Sequence, residues 1–183
     1  MFNGIISFIK LLSSKDKGLY VFIHDLTGFY PKNIELYKLA FVHRSMPVKD
    51  ANGNWVNNER LEYLGDAVLD LVVAAYLCHH YPDKHEGFLT STRAKIVQRE
   101  SLNRIGKLFH LDQHVKASSH SSSHNSYISG NAVEAFVGAI YLDRGYDCAQ
   151  KFIEQKIIRD NIDIVSLVNT EKNFMSLFNA INQ

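Results

Sequence analysis

Cysteine is almost missing from this chain: its 183 residues include only Cys78 and Cys148, far apart and without metal-ligand spacing. That excludes a disulfide framework and suits a reducing compartment. An excess of charge is missing too. The formal net charge of +1 withholds the bulk electrostatics on which strongly basic nucleic-acid binders rely, so any such role depends on local patches or bound cations. No apolar run approaches the roughly 20 residues that span a bilayer. The apolar stretch from Phe2 to Leu12 lacks a basic leader and a convincing cleavage site, and reads as a first core helix. The expected location is the cytoplasm, with no membrane partner. Strand signals are scarce, and there is no internal repeat.

What is present is globular and helical. A hydrophobic fraction of 46% is that of a folded protein with a substantial core. Apolar residues recur at helical spacing over Ile5 to Leu12, Leu19 to Leu26 (with Gly28 as a stop) and Ile34 to Val42. Met46 to Asn57 reads as a loop. Asn58 reads as an N-cap, and Glu59 and Glu62 lie where the helix macrodipole favours negative charge. That helix runs to His80, before Pro82. Glu86 to Phe109 is helical again, with a break near Arg99 to Ser101. Ser118 to Ser126, rich in Ser and His, reads as a mobile loop. Helices over Ile128 to Leu142 and Cys148 to Ile158 follow, and a last amphipathic stretch begins after Asn169. The fold class is all-α.

Two acidic constellations stand out. Glu62, Asp66 and Asp70 are spaced i, i+4 and share one helical face, with Glu59 one turn before. Asn131 and Glu134 are spaced i, i+3 on another helix. Acidic stripes are usually solvated, but Glu134 lies among Ala132, Val133, Ala135, Phe136 and Val137, and a helix apolar on nearly all sides is normally buried. A buried carboxylate without a partner costs several kcal/mol or stays protonated. Among the remedies, a divalent cation shared between the two helices satisfies these groups together, and hard oxygen ligands select Mg²⁺ or Mn²⁺ over zinc.

The residues that carry these groups resemble a known family. Asn58-Glu59-Arg60-Leu61-Glu62-Tyr63-Leu64-Gly65-Asp66-Ala67-Val68-Leu69 is similar to the signature stretch of ribonuclease III, with Tyr63 where Phe is commoner. Leu39-Ala40-Phe41-Val42-His43-Arg44-Ser45 resembles the segment before it. Tyr81-Pro82-Asp83 and Glu86-Gly87-Phe88-Leu89-Thr90 resemble the segment after it. Gly130-Asn131-Ala132-Val133-Glu134-Ala135-Phe136-Val137-Gly138 resembles the second acidic motif. The resemblance covers roughly residues 20 to 160.

The resemblance implies an all-helical, homodimeric endonuclease domain over 1–168, followed over 169–183 by a linker or the start of a double-stranded-RNA-binding domain. It implies Mg²⁺-dependent hydrolysis of phosphodiester bonds in double-stranded RNA, such as precursors of ribosomal RNA, with Mn²⁺ able to substitute and no nucleotide cofactor. Glu62 and Glu134 match metal-coordinating carboxylates. Asp66 matches an acidic residue essential for catalysis, placed to hold the activated water or its network. Glu59 and Glu86 match acidic positions near the RNA-facing cleft. His43-Arg44-Ser45 is expected to form a polar helix end packed against the signature helix.

Asn131 departs from the pattern, because the position is usually Asp. An amide carbonyl still ligates Mg²⁺, but one negative charge is lost, and a higher metal requirement is expected. The tail Glu171 to Phe178 resembles the first helix of a double-stranded-RNA-binding domain. The sequence is therefore either a piece of a longer protein or a protein that works without that module, with weaker and more salt-sensitive RNA binding.

Two other function classes compete. One is a non-catalytic RNA-binding or ribosome-associated relative, favoured only by Asn131. The other is a different helical metallo-phosphohydrolase acting on nucleotides, suggested by the His24-Asp25 dipeptide, whose further ligands cannot be assigned. His110, His114, His120 and His124 are more simply loop residues than a soft-metal site. The basic residues from Arg93 to Lys107 suit phosphate contacts and a solvated face equally.

Overall fold

The computed structural model describes residues 15–118 and 127–164. The expected helix over Ile5 to Leu12, the residues His120 and His124, and the segment 169–183 lie outside them. The architecture is a helical bundle: α1 (Lys17–Thr27), α2 (Ile34–Ala40), α3 (Glu59–His80), α4 (Glu86–Val97), α5 (Arg99–Leu108), α6 (Ile128–Arg144) and α7 (Tyr146–Phe152). A single 3₁₀ turn (Leu111–Gln113) follows α5, and a π-helical stretch (Ile153–Arg159) continues α7. Gly28 ends α1 in the left-handed conformation, as the sequence predicts.

Helix α6 is the central rod. Ala132, Val133, Phe136, Val137, Ala139 and Ile140 are all buried, and α6 packs on α2, α3, α5 and α7. Each large side chain buried in this way contributes on the order of 1.5–3 kcal/mol before entropy is counted. Where α3 crosses α6 there is no room for side chains. A Cβ on Gly65 would land on the backbone carbonyl oxygen of Glu134, and one on Gly138 would land on that of Leu61. The reciprocal glycines let the two backbones touch, which offsets the roughly 1 kcal/mol that each costs within a helix.

A buried carboxylate ties the far end of α6 to α2. Asp143 accepts the backbone N–H groups of Lys32 (3.0 Å) and Asn33 (2.7 Å) and the hydroxyl of Tyr37 (3.1 Å). Burial, with Asp143 alongside, pushes the Tyr37 hydroxyl far up from its ordinary range, so it remains a donor.

Four local readings differ from expectation. Met46 to Asn57 contains a small antiparallel hairpin, β1 (Val48–Lys49) with β2 (Trp55–Val56), closed by Asp50, whose Oδ1 accepts the N–H groups of Asn52 and Asn54. Asn58 occupies the N-cap of α3 but makes no capping bond with its side chain. It is buried and donates from Nδ2 to the Ala40 carbonyl (3.4 Å), while the Asn57 side chain accepts from the Glu59 N–H (2.9 Å). The break between α4 and α5 falls at Gln98, whose backbone is extended. The last helix widens to π geometry from Ile153.

Candidate functional site

The side chains of α3 and α6 that flank the glycine crossing open into one cleft of about 550 Å³. Helix α3 brings Glu59, Glu62 and Asp66 to it, and α6 brings Asn131 and Glu134. Because the backbones touch at Gly65 and Glu134, residues one turn away on each helix are forced to share this space. The polar stripe then divides. Asp70 turns toward α4 and pairs with Arg93 at 3.9 Å. Glu86 stands in the first turn of α4 and accepts from the Thr90 hydroxyl (2.7 Å), and it does not line the cleft. Glu59, at the rim, accepts from the Asn57 amide (3.0 Å) and lies 3.8 Å from Arg44.

The electrostatics record a shortage of positive charge. Burial, with the charges of Glu62 and Asp66 beside it, pushes the Glu134 carboxyl up to about 7. Burial and Glu59 raise Glu62, while a hydrogen bond from the Asn131 side chain acts in the opposite sense. Burial and Asp70 raise Asp66. Three carboxyls raised together by desolvation and mutual repulsion are the state that a divalent cation relieves. The donor set is oxygen only, which suits a hard ion. Among the described residues, however, no three His, Cys, Asp or Glu side chains are close enough to hold a metal ion as they stand. The carboxylates share a cleft without being drawn into a coordination sphere, as their repulsion dictates.

Two residues of α5 complete the cleft: Asn103, which the sequence did not single out, and Arg99, one of the basic residues it weighed for phosphate contacts. Asn103 on α5 accepts the Gly130 N–H (2.8 Å) and so fixes the first turn of α6. Arg99, the first residue of α5, lines the cleft, and its guanidinium lies 5.0 Å over the ring of Tyr127. The i, i+4 spacing of Arg99 and Asn103 was the available signal, but it gains meaning only once the break at Gln98 is located.

The weaker motifs resolve as ordinary structure. His24 contacts Asp25 at 3.3 Å and stacks on Tyr30. His114 packs against Phe22 and Phe41. His43 is buried, with Ser45 N–H donating to its Nδ1 at 3.2 Å; the adjoining Asn58 N–H, at the start of α3, donates to the Val42 carbonyl. No helix of the described residues is long and apolar enough to cross a membrane.

A Ribonuclease 3 of Bacteroides fragilis is 51% identical over 176 residues, which is 96% of this chain and 61% of that protein. A Ribonuclease 3 of Flavobacterium psychrophilum is 42% identical over 170 residues, 93% of this chain and 69% of that protein. The chain thus spans about three fifths of the first of these relatives. Among solved structures, the nuclease domain of ribonuclease III from Campylobacter jejuni superposes with a TM-score of 0.68 at 32% identity, covering 77% of this chain and 96% of that one. The family described as Ribonuclease-III-like matches residues 33–161, from the residue before α2 to just past the π-helical stretch. Both cleft helices fall inside that match, and the chain belongs to the ribonuclease-III-like family.

Proposed function

We propose that this chain is the catalytic domain of an endoribonuclease that hydrolyses phosphodiester bonds in double-stranded RNA with Mg²⁺, on precursors such as ribosomal RNA. The observation that carries the reading is the half-buried Glu134, its carboxyl pushed up to about 7, facing Glu62 and Asp66 across a cleft open to solvent. A structural ion pair would have supplied a cation at this place, whereas a metal-dependent hydrolase leaves it for the ion. Glu62, Asp66, Asn131 and Glu134 would hold the metal. When bound, a divalent ion supplies Lewis acidity toward a phosphate and lowers the pKa of water.

The protein's own part is positional. The glycine crossing fixes Glu62 against Glu134 and Asn131. Glu134, whose carboxyl is pushed up to about 7, would have to give up its proton to serve as a ligand, and cleavage is expected to rise with pH through that range. The Asn131 amide hydrogen-bonds the Glu62 carboxylate and leaves its carbonyl available as a ligand. Asp66, exposed at the mouth of the cleft, orients water.

A second copy of the chain is the partner proposed for the other face of α3. There an apolar groove of about 1100 Å³ is lined by Leu36, Leu39, Trp55, Leu64 and Leu142, with Tyr63 at its edge. Tyr63 is 81% exposed and Trp55 67% exposed, an unusual cost for a monomer. The Campylobacter jejuni structure is described as having a region involved in dimer formation, which supports the same assembly here. Two copies joined along α3 would place both clefts on one duplex, each cutting one strand.

The test is incubation with a perfectly paired RNA duplex and Mg²⁺. Short duplexes with 3′ overhangs are expected, and Glu134→Ala is expected to abolish cutting while preserving dimers in sedimentation. The substitution Asn131 in place of Asp favours one competitor, a relative that binds RNA without cutting it. A mobility shift with intact RNA would establish that competitor instead.

A further inference from the structure

Every other charged side chain lining the cleft is a carboxylate, namely Glu59, Glu62, Asp66 and Glu134; Arg99 is the one cation among the described lining residues. Its placement is specific. It follows directly on the extended Gln98 and opens α5. Its guanidinium rests 5.0 Å over the ring of Tyr127, the residue that precedes α6 and therefore Asn131 and Glu134. It shares the cleft with Glu62 and Glu134, yet among the described residues it closes no ion pair with either. An arginine that served as permanent counter-ion would lie against the carboxylates within salt-bridge distance. This one is exposed and lies over an aromatic face at the cleft wall, and its guanidinium carries five N–H donors.

The partner that suits such a group is an anion arriving together with the cations that neutralise the carboxylates. A planar guanidinium matches a phosphate with two parallel hydrogen bonds. We infer that Arg99, shelved on Tyr127, binds the non-bridging oxygens of an RNA backbone phosphate within the cleft. This rests on the nuclease reading given above. Arg99 is thereby a substrate-binding residue, distinct from the oxygen ligands, and the basic residues farther along α4 and α5 need not enter the cleft at all. Lysine would supply the charge without the fork, and leucine at 127 would remove the shelf without touching any charge.

The experiment measures cleavage of a paired RNA duplex with Mg²⁺ at several salt concentrations, alongside duplex binding by fluorescence anisotropy. For Arg99→Ala, KM is expected to rise about tenfold with a smaller change in kcat, and the slope of log affinity against log salt to fall by about one, as for one lost phosphate contact. Arg99→Lys is expected to restore the slope but only part of KM. Tyr127→Leu is expected to raise KM in the presence of Arg99 and to add little once Arg99 is Ala. An Arg99→Ala protein with wild-type KM and salt slope overturns the inference, and a lowered Tm in that protein would mark Arg99 as a structural counter-ion. If the wild type binds the duplex but leaves it uncut, the nuclease reading fails while the binding slope still judges Arg99. If it neither binds nor cuts, both fail.

Discussion

Gly65 on α3 lies directly against the backbone carbonyl of Glu134 on α6, with no space for even a methyl group between them. The contact sets the separation of the two helices and hence the distance at which Glu62 and Asp66 face Glu134. A glycine inside a 22-residue helix is thus a determinant of the site although it carries no functional group.

Gly65→Ala is expected to force the helices apart or prevent folding. Overpacking against side chains costs about 1–3 kcal/mol, and a backbone atom cannot rotate away, so a loss of at least about 3 kcal/mol is expected in urea melts. Gly138→Ala should behave likewise, since its methyl would meet the Leu61 carbonyl. A wild-type midpoint in either variant would contradict the crossing.

The raised Glu134 carboxyl makes metal-free stability depend on pH. Its pKa in the fold is about 7 against an ordinary 4.5, so the folded state holds this proton more tightly than the unfolded chain does. That advantage is complete below about pH 4.5 and disappears as pH rises through 7. Glu134→Gln should flatten this segment of the Tm–pH curve and melt higher than wild type at pH 8 in chelator. Adding Mg²⁺ should raise Tm in the wild type and not in the variant.

Asn131→Asp should increase apparent Mg²⁺ affinity by restoring a ligand charge. It should also remove the hydrogen bond that now restrains Glu62 and push both Glu62 and Glu134 further up. The expected result is a lower Mg²⁺ midpoint for cleavage together with an alkaline shift of the pH–rate profile. Unchanged metal dependence would show that the amide costs nothing.

Asp143→Ala should strand two backbone donors and the Tyr37 hydroxyl. Hydrogen bonds to a charged group are worth roughly 1.5–3 kcal/mol each. A loss of about 3 kcal/mol or more is expected in thermal or urea denaturation, against about 1 kcal/mol for Tyr37→Phe.

Tyr63→Asp should convert a dimer to monomers in analytical ultracentrifugation, with the helical content of the chain preserved, because Tyr63 is largely exposed within one copy. A dimer that survives this change would place the interface elsewhere.

The helices that carry the chemistry were legible because they are long and strongly patterned. Glu62 and Asp66 on one periodic stretch, and Asn131 and Glu134 on another, declare shared faces before any coordinates exist. What could not be read depends on tertiary choices. The hairpin at Val48 and Val56 has two residues per strand, too few to display a period of two. Asn58 has the residue type of a cap, but the chain buries it against Ala40 and lets Asn57 do the capping. Arg99 looks like any of its basic neighbours until Gln98 adopts an extended backbone and reorients everything after it. Glu86 matched a family position, yet its placement at the start of α4 leaves it bonded to Thr90 outside the cleft.

The two halves of the cleft are supplied by helices with all of α4 and α5 between them in the chain. A polypeptide emerging from the ribosome therefore owns half a site from the completion of α3 onward, and nothing more until α6 has followed. A chain that stops anywhere in between carries Glu62 and Asp66 with neither Asn131 nor Glu134 to face them.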